Sequence, residues 1–190
     1  MRERVRAFAN AAILEAAETV FAEQGLDAGM DAIAARAGVA VGTLYKHFTD
    51  RDGLIQALLD ARFAELLAAM DAASRWTLGQ GFETQLVATL VTVAEHTQLH
   101  AAFRRTALQV ELPARHPHRV ALRALILERL AVVLQRGRES GALRSDPDDL
   151  QPVLLLGLLH SMLVLSDQGG RSPSAIAALV ARQFIHGAGA

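Results

Sequence analysis

The run Val41-Gly42-Thr43-Leu44-Tyr45-Lys46-His47 carries residue types suited to nucleic acid. A lysine ammonium pairs with a phosphate or a guanine edge, and threonine and histidine hydrogen-bond phosphate oxygens. Gly42 removes side-chain bulk, so backbone can approach a partner closely. If the run is helical, each residue advances about 100°, which puts Leu44 and Phe48 on one side, near about 300° and 340° from Val41. Gly42, Thr43, Lys46 and His47 then fall on the other side. The apolar pair packs inward and the polar set faces out. Tyr45 stands at the boundary, its ring packed and its hydroxyl reaching outward. The N-terminus of such a helix adds partial positive charge and N–H groups for phosphate. A plain helical hairpin with its polar face in water explains the spacing equally well.

The elements that must position this run are also legible. Apolar spacing is helical almost throughout, and strand-like alternation is hard to find. A first helix is predicted from about residue 7 to 24, with Ile13, Ala17, Val20 and Phe21 on one side. Gly25 sits where a left-handed cap belongs. A short helix over 30–37 is ended by Gly38, and the 41–47 helix follows. Thr49-x-x-Asp52 reads as a capping box that starts a long helix. That helix carries Leu54, Leu58, Phe63, Leu66, Leu67 and Met70. Gly79 and Gly81 break the pattern near Trp76. Further helices are predicted at 82–98, 101–112 and 117–140. Ser145-Asp146-Pro147-Asp148 begins another, with Pro147 in its first turn. Gly169-Gly170 ends it, and Ser172-Pro173 begins the last, which runs to about His186. The fold class is all-α.

The segment from 33 to 54 resembles the DNA-binding domain of the tetracycline-repressor (TetR) family of bacterial transcription regulators. The matching residues are Ile33-Ala34, Ala37-Gly38-Val39-Ala40, Gly42-Thr43-Leu44-Tyr45, His47-Phe48, Asp50-Arg51-Asp52 and Leu54. Ile13-Leu14 through Phe21 and Gly25 fit the family's first helix. The resemblance implies a three-helix DNA-binding domain with a helix-turn-helix over 1–52. A larger helical domain for effector binding and dimerisation would occupy 53–190. It also implies that Val41, Gly42 and Thr43 approach base edges or adjoining phosphates. Tyr45, His47 and Arg51 would hold the backbone, and Lys46 would do either. Two positions depart from the family pattern. Ala40 replaces a serine, so the recognition helix lacks a side-chain cap, a loss of about 1 kcal/mol. Gly29 stands where a threonine usually caps the second helix. Arg2, Arg4 and Arg6 are candidates for a compensating flexible arm.

By the same resemblance the last two helices, about 148–168 and 173–186, pair with a partner's to form a homodimer on a palindromic double-stranded operator. Val153–Leu165 is apolar on every side, and such a helix needs cover all round. It is too short for a typical membrane span and is interrupted by His160 and Ser161. Family members hold a small-molecule effector among the middle helices. Phe63, Met70, Trp76, Phe82, Phe103, His160 and Met162 are candidate walls, though each also reads as simple core. His160 needs a hydrogen-bond partner if it is buried.

Composition limits the alternatives. The chain has 190 residues, 52% of them hydrophobic, which is ample for a packed core. It has no cysteine, so neither a disulfide framework nor a thiolate metal site is possible. No signal-peptide pattern follows the N-terminal arginines, and a cytoplasmic location is expected. The formal net charge of −1 means any positive surface is local. His96 and His100 have metal-ligand spacing, and His116 and His118 flank Pro117, but no obvious carboxylate or third ligand completes either set by sequence spacing. Arg104, Arg105 and Arg115 read as a solvated face, as do Glu95, Glu111 and Glu128. No phosphate-binding glycine loop, Gly-x-Ser-x-Gly elbow or His-Glu-x-x-His is present. His160 and Ser161 are helical neighbours pointing in different directions. No enzyme, cofactor or metal is expected. The reading that competes is a helical DNA-binding or interaction module without an effector.

Overall fold

A computed structural model describes residues 2–101, 117–144, 148–166 and 170–188; the helix expected over 101–112 lies largely outside them. The described residues form α1 (Arg2–Gln24), α2 (Met30–Ala37), α3 (Val41–His47), α4 (Arg51–Trp76), α5 (Phe82–Leu99), α6 (Pro117–Glu139), α7 (Gln151–Ser166) and α8 (Pro173–Ala188). The fold is all-helical. No helix among the described residues is long and apolar enough to cross a membrane. They divide into two compact units, residues 2–64 with His100 and Ala101, and residues 65–99 with those from 117 onward.

The first unit is built on one apolar cluster. Ile13, Ala17, Val20 and Phe21 of α1 meet Met30, Ile33 and Ala34 of α2, Leu44 of α3, and Leu54, Ile55 and Leu58 of α4. Glycines close two of its helices. Gly25 adopts φ 86° after α1. Gly38 adopts φ 68°; its N–H donates to Ala35 O at 3.2 Å while that of Val39 donates to Ala34 O at 3.0 Å. That pair of bonds satisfies the last carbonyls of α2 and turns the chain sharply into α3. The start of α4 differs from expectation. The cap is Asp50, whose Oδ1 accepts the Gly53 N–H at 2.7 Å, and the helix begins at Arg51. Thr49 lies one residue too early to cap it.

In the second unit α5 packs against α6, α7 and α8, while α7 packs against α6 and α8. Leu86, Leu90, Val93, Leu130, Leu134, Leu155, Leu159 and Val180 form its buried centre. A Cβ on Gly137 would come within 2.6 Å of the Phe82 ring, so the ring rests on bare helix backbone. Arg129 of α6 clasps Asp71 of α4 with two parallel bonds of 2.8 and 3.1 Å. That fork holds the Asp71 carboxyl below its ordinary range, chiefly through the hydrogen bond from Arg129.

One expectation about α7 needs correction. It begins at Gln151, because Asp149 has a left-handed backbone (φ 50°) that a right-handed helix cannot include; Ser145, Asp146 and Pro147, expected to open it, lie outside the described residues. In the single chain one side of it is open. Leu155, Leu159 and Leu163 face inward, while Leu154, Leu158, Val164 and Leu165 lie exposed on the other side. His160 shares that open side. The start of α8 follows expectation: Ser172 Oγ accepts the Ala175 N–H at 3.2 Å, and Pro173 opens the helix.

Candidate nucleic-acid interface

A seven-residue helix is too short to be stable by itself, so α3 depends on what it is packed against. Leu44 is fully buried in the first unit's core, and Val39 and Phe48 pack on the rim of that core. Burying a leucine side chain contributes about 1.5–3 kcal/mol. These apolar contacts set which side of α3 looks outward. Val41, Gly42, Tyr45 and Lys46 are exposed there, Tyr45 at 51%. Thr43 and His47 are half-buried at the edges.

The helix starts without a side-chain cap, since Ala40 offers only its carbonyl, which accepts the Thr43 N–H at 2.8 Å and the Leu44 N–H at 3.2 Å. α2 likewise begins at Gly29 with no side-chain cap. A Cβ added at Gly42 would meet no heavy atom within 4 Å. The chain's own packing therefore does not require a glycine there; its smallness faces solvent.

The structure brings the seven residues singled out in the sequence onto α3 and the first turn of α4, but it does not leave them equivalent. Lys46 is exposed and has no ion pair among the described residues. The His47 ring is hydrogen-bonded through Nδ1 to Asn10 of α1. Arg51 donates to Asp27 Oδ1 at 3.1 Å, an exposed pair that joins the α1–α2 turn to the start of α4. His47 and Arg51 thus have intramolecular partners that fix their direction, and Asn10 and Asp27 become part of the surface. Neither was visible as such in the sequence, because they lie 37 and 24 residues from their partners.

A second charged group braces the unit from behind. Glu18 of α1 accepts two bonds from Arg62 of α4, at 2.8 Å from Nε and 2.6 Å from Nη2, and contacts His100 Nδ1 at 2.5 Å. Its side chain is 15% exposed. α5, which carries His96, ends at Leu99. On α1, Glu23 also pairs with Arg36 of α2 at 3.3 Å.

The residues named as effector walls fall on several elements. Phe63 is half-buried on α4 in the first unit, and Met70 is buried in the core of the second. Phe82 lies against Gly137, and Met162 is half-buried on α7. His160 is exposed, and Trp76 is exposed at the end of α4 beside a groove. Phe103 lies outside the described residues, as do Arg104, Arg105, Glu111, Arg115 and the side chains of His116 and His118.

Residues 13–58 match the family model described as bacterial regulatory proteins, tetR family. Over 160 residues the chain is 30% identical to the HTH-type transcriptional regulator UidR of Escherichia coli K12, covering 80% of this chain and 78% of that one. Among solved structures, the TetR family regulator PfmR from Thermus thermophilus superposes with a TM-score of 0.74 at 21% identity, over 92% of this chain and 97% of that chain. The fatty acid degradation regulator FadR from Bacillus halodurans gives a TM-score of 0.78 at 20% identity, over 93% and 94% of the two chains. At these identities the solved structures speak for the fold.

Proposed function

The chain belongs to the tetR family of bacterial regulatory proteins, as a transcriptional regulator with a helix-turn-helix DNA-binding domain, and from that premise we propose that it is a cytoplasmic, ligand-responsive repressor. Two copies occupy a palindromic operator, and a small molecule bound in the helical domain releases them. The observation that carries this reading is the outward side of α3. Gly42, Lys46 and Tyr45 stand in solvent on a helix whose opposite side is locked by Leu44. Tyr45, His47, Thr43 and Arg51 contact phosphates, Lys46 a phosphate or guanine edge, and Val41 and Gly42 the base edges.

The dimer forms through α7 and α8. Leu154, Leu158, Val164 and Leu165 make an apolar stripe on α7, and Ala175 and Ala178 present small side chains on the exposed side of α8. Large groups on one helix and small ones on its neighbour suit self-complementary packing into a four-helix bundle. Pairing sets two α3 helices for half-sites about 34–36 Å apart. The effector acts through its difference in affinity between the DNA-bound and released conformations.

The test is capture of genomic fragments by the purified protein, followed by mobility-shift titration of variants on the recovered site. Lys46→Ala and Tyr45→Ala are expected to weaken binding with little change in melting temperature. Tyr45→Ala should do so on many sequences and Val41→Ala should alter sequence preference. Wild-type affinity in both Lys46→Ala and Tyr45→Ala would refute the assignment.

A further inference from the structure

The second unit has an open groove between α4 and α5 with a volume of about 700 Å³, inside the range of roughly 300–1,000 Å³ typical of small-molecule sites. Its floor is alanine: Ala69, Ala72 and Ala73 from α4 lie opposite Ala88 from α5. Trp76 and Leu99 stand at its ends, 84% and 77% exposed. From Ala69 to Trp76 the α4 wall rises about 10 Å, long enough for a ligand of two or three rings. Large apolar groups left in water around a hollow of small ones form a surface that gains by being covered. Apart from His96, Glu95 is the one ionisable side chain among the described lining residues. The sequence offered no reason to treat Glu95 as more than surface charge. Its position on α5 places it on the rim of this groove.

We propose that the groove seats a lipophilic cation. Its apolar body lies on the alanine floor against the Trp76 ring, and its positive charge is matched by Glu95. A tryptophan face attracts cations through its quadrupole, and no lysine or arginine among the described lining residues opposes the charge. This names the effector class for the reading above and rests on it.

Trp76 is the chain's single tryptophan, so its emission reports this groove directly. Tetraphenylphosphonium and tetraphenylborate share a shape and differ in the sign of their charge. Titrated into the 190-residue chain without DNA, the phosphonium is expected to give a saturable emission change and to bind about tenfold more tightly than the borate, as a single charge contact near a protein surface allows. Glu95→Gln should weaken the phosphonium about fivefold, the upper size of one exposed charge pair, and narrow the gap between the two ions. Ala72→Phe should fill the floor and abolish both, with circular dichroism melts showing that each variant remains folded. Equal affinity for the two ions, or phosphonium binding untouched by Glu95→Gln, overturns the proposal. So does a change of oligomeric state in Ala72→Phe with neither ion bound by wild type, which assigns the groove to a chain–chain contact. Phosphonium binding that leaves operator affinity unchanged would remove the release mechanism and keep the groove's ligand class.

Discussion

Gly42 allows stability and function to be pulled apart. It sits on the exposed side of α3, and an added Cβ meets no heavy atom within 4 Å. Its backbone lies inside an ordinary helix, so an alanine there adopts the same dihedrals without strain. Glycine within a helix costs roughly 0.5–1 kcal/mol relative to alanine, mainly through the freedom of the unfolded chain. Gly42→Ala should therefore raise the melting temperature by about 1–4 °C, on the usual conversion of roughly 2–4 °C per kcal/mol for a chain of this size. Its effect on DNA should be opposite. If α3 lies in the groove with its backbone close to the duplex, a methyl group there pushes it away, and a leucine does so further. Binding should fall about tenfold for Gly42→Ala and by about a hundredfold or more for Gly42→Leu, each tenfold step being about 1.4 kcal/mol. Scanning fluorimetry and fluorescence anisotropy on the captured operator read the two effects separately. Wild-type affinity in Gly42→Leu would refute the close approach of α3. A loss of stability in Gly42→Ala would instead show that the site is not open.

Other perturbations probe the supports. Glu18→Ala removes the carboxylate held by Arg62 and His100 at a 15% exposed site, and should lower stability by about 3 kcal/mol, with Glu18→Gln falling between it and wild type in a urea titration. Gly137→Ala drives a Cβ to within 2.6 Å of the Phe82 ring and should cost about 1–3 kcal/mol, while Phe82→Leu in the same chain should recover part of that loss. The Asp71 carboxyl is held low by Arg129, so its pair stabilises the fold above the unfolded carboxylate's pKa. That stability fades as pH falls through the lower folded value. Asp71→Asn should therefore destabilise at neutral pH by up to about 1 kcal/mol, the scale of a part-exposed pair, and the difference from wild type should vanish in strong acid.

What could be read from the sequence was local. Gly25 and Gly38 mark helix ends because left-handed backbone there favours glycine, and both adopt it. Ser172-Pro173 marks a start because a hydroxyl cap and a fixed φ act within one turn. The inward position of Leu44 followed from helical periodicity alone. Where two adjacent residues carry capping oxygens, the pattern misled: Thr49-x-x-Asp52 pointed to Thr49, and the geometry selects Asp50. The start of α7 was misjudged because the left-handed backbone of Asp149 is not encoded by a glycine. The partners of His47, Arg51 and Glu18 were not legible at all. Their contacts span 24 to 82 residues, and no periodicity joins positions so far apart. The alanine floor of the α4–α5 groove is likewise a property of two helices seen together.

The weak starts of α2 and α3 bear on how such a reader is controlled. Gly29 and Ala40 leave both helices without side-chain caps, and seven residues cannot hold a helix unaided. The order of α3 therefore comes from tertiary contacts: Leu44 among Phe21, Ile33, Leu54 and Leu58, and His47 on Asn10. Leu54 and Leu58 belong to α4, the helix that also supplies Ala69 to Trp76 to the groove. A packed core has discrete arrangements and does not deform continuously. A small displacement of the first turns of α4 would thus change the seat of Leu44, and with it the direction or the order of α3. A serine cap would make α3 more stable in itself and less dependent on that seat. Under the proposed ligand release, Ala40→Ser is accordingly expected to tighten operator binding and to blunt that release. Tighter binding with undiminished release would show that control does not run through the order of α3.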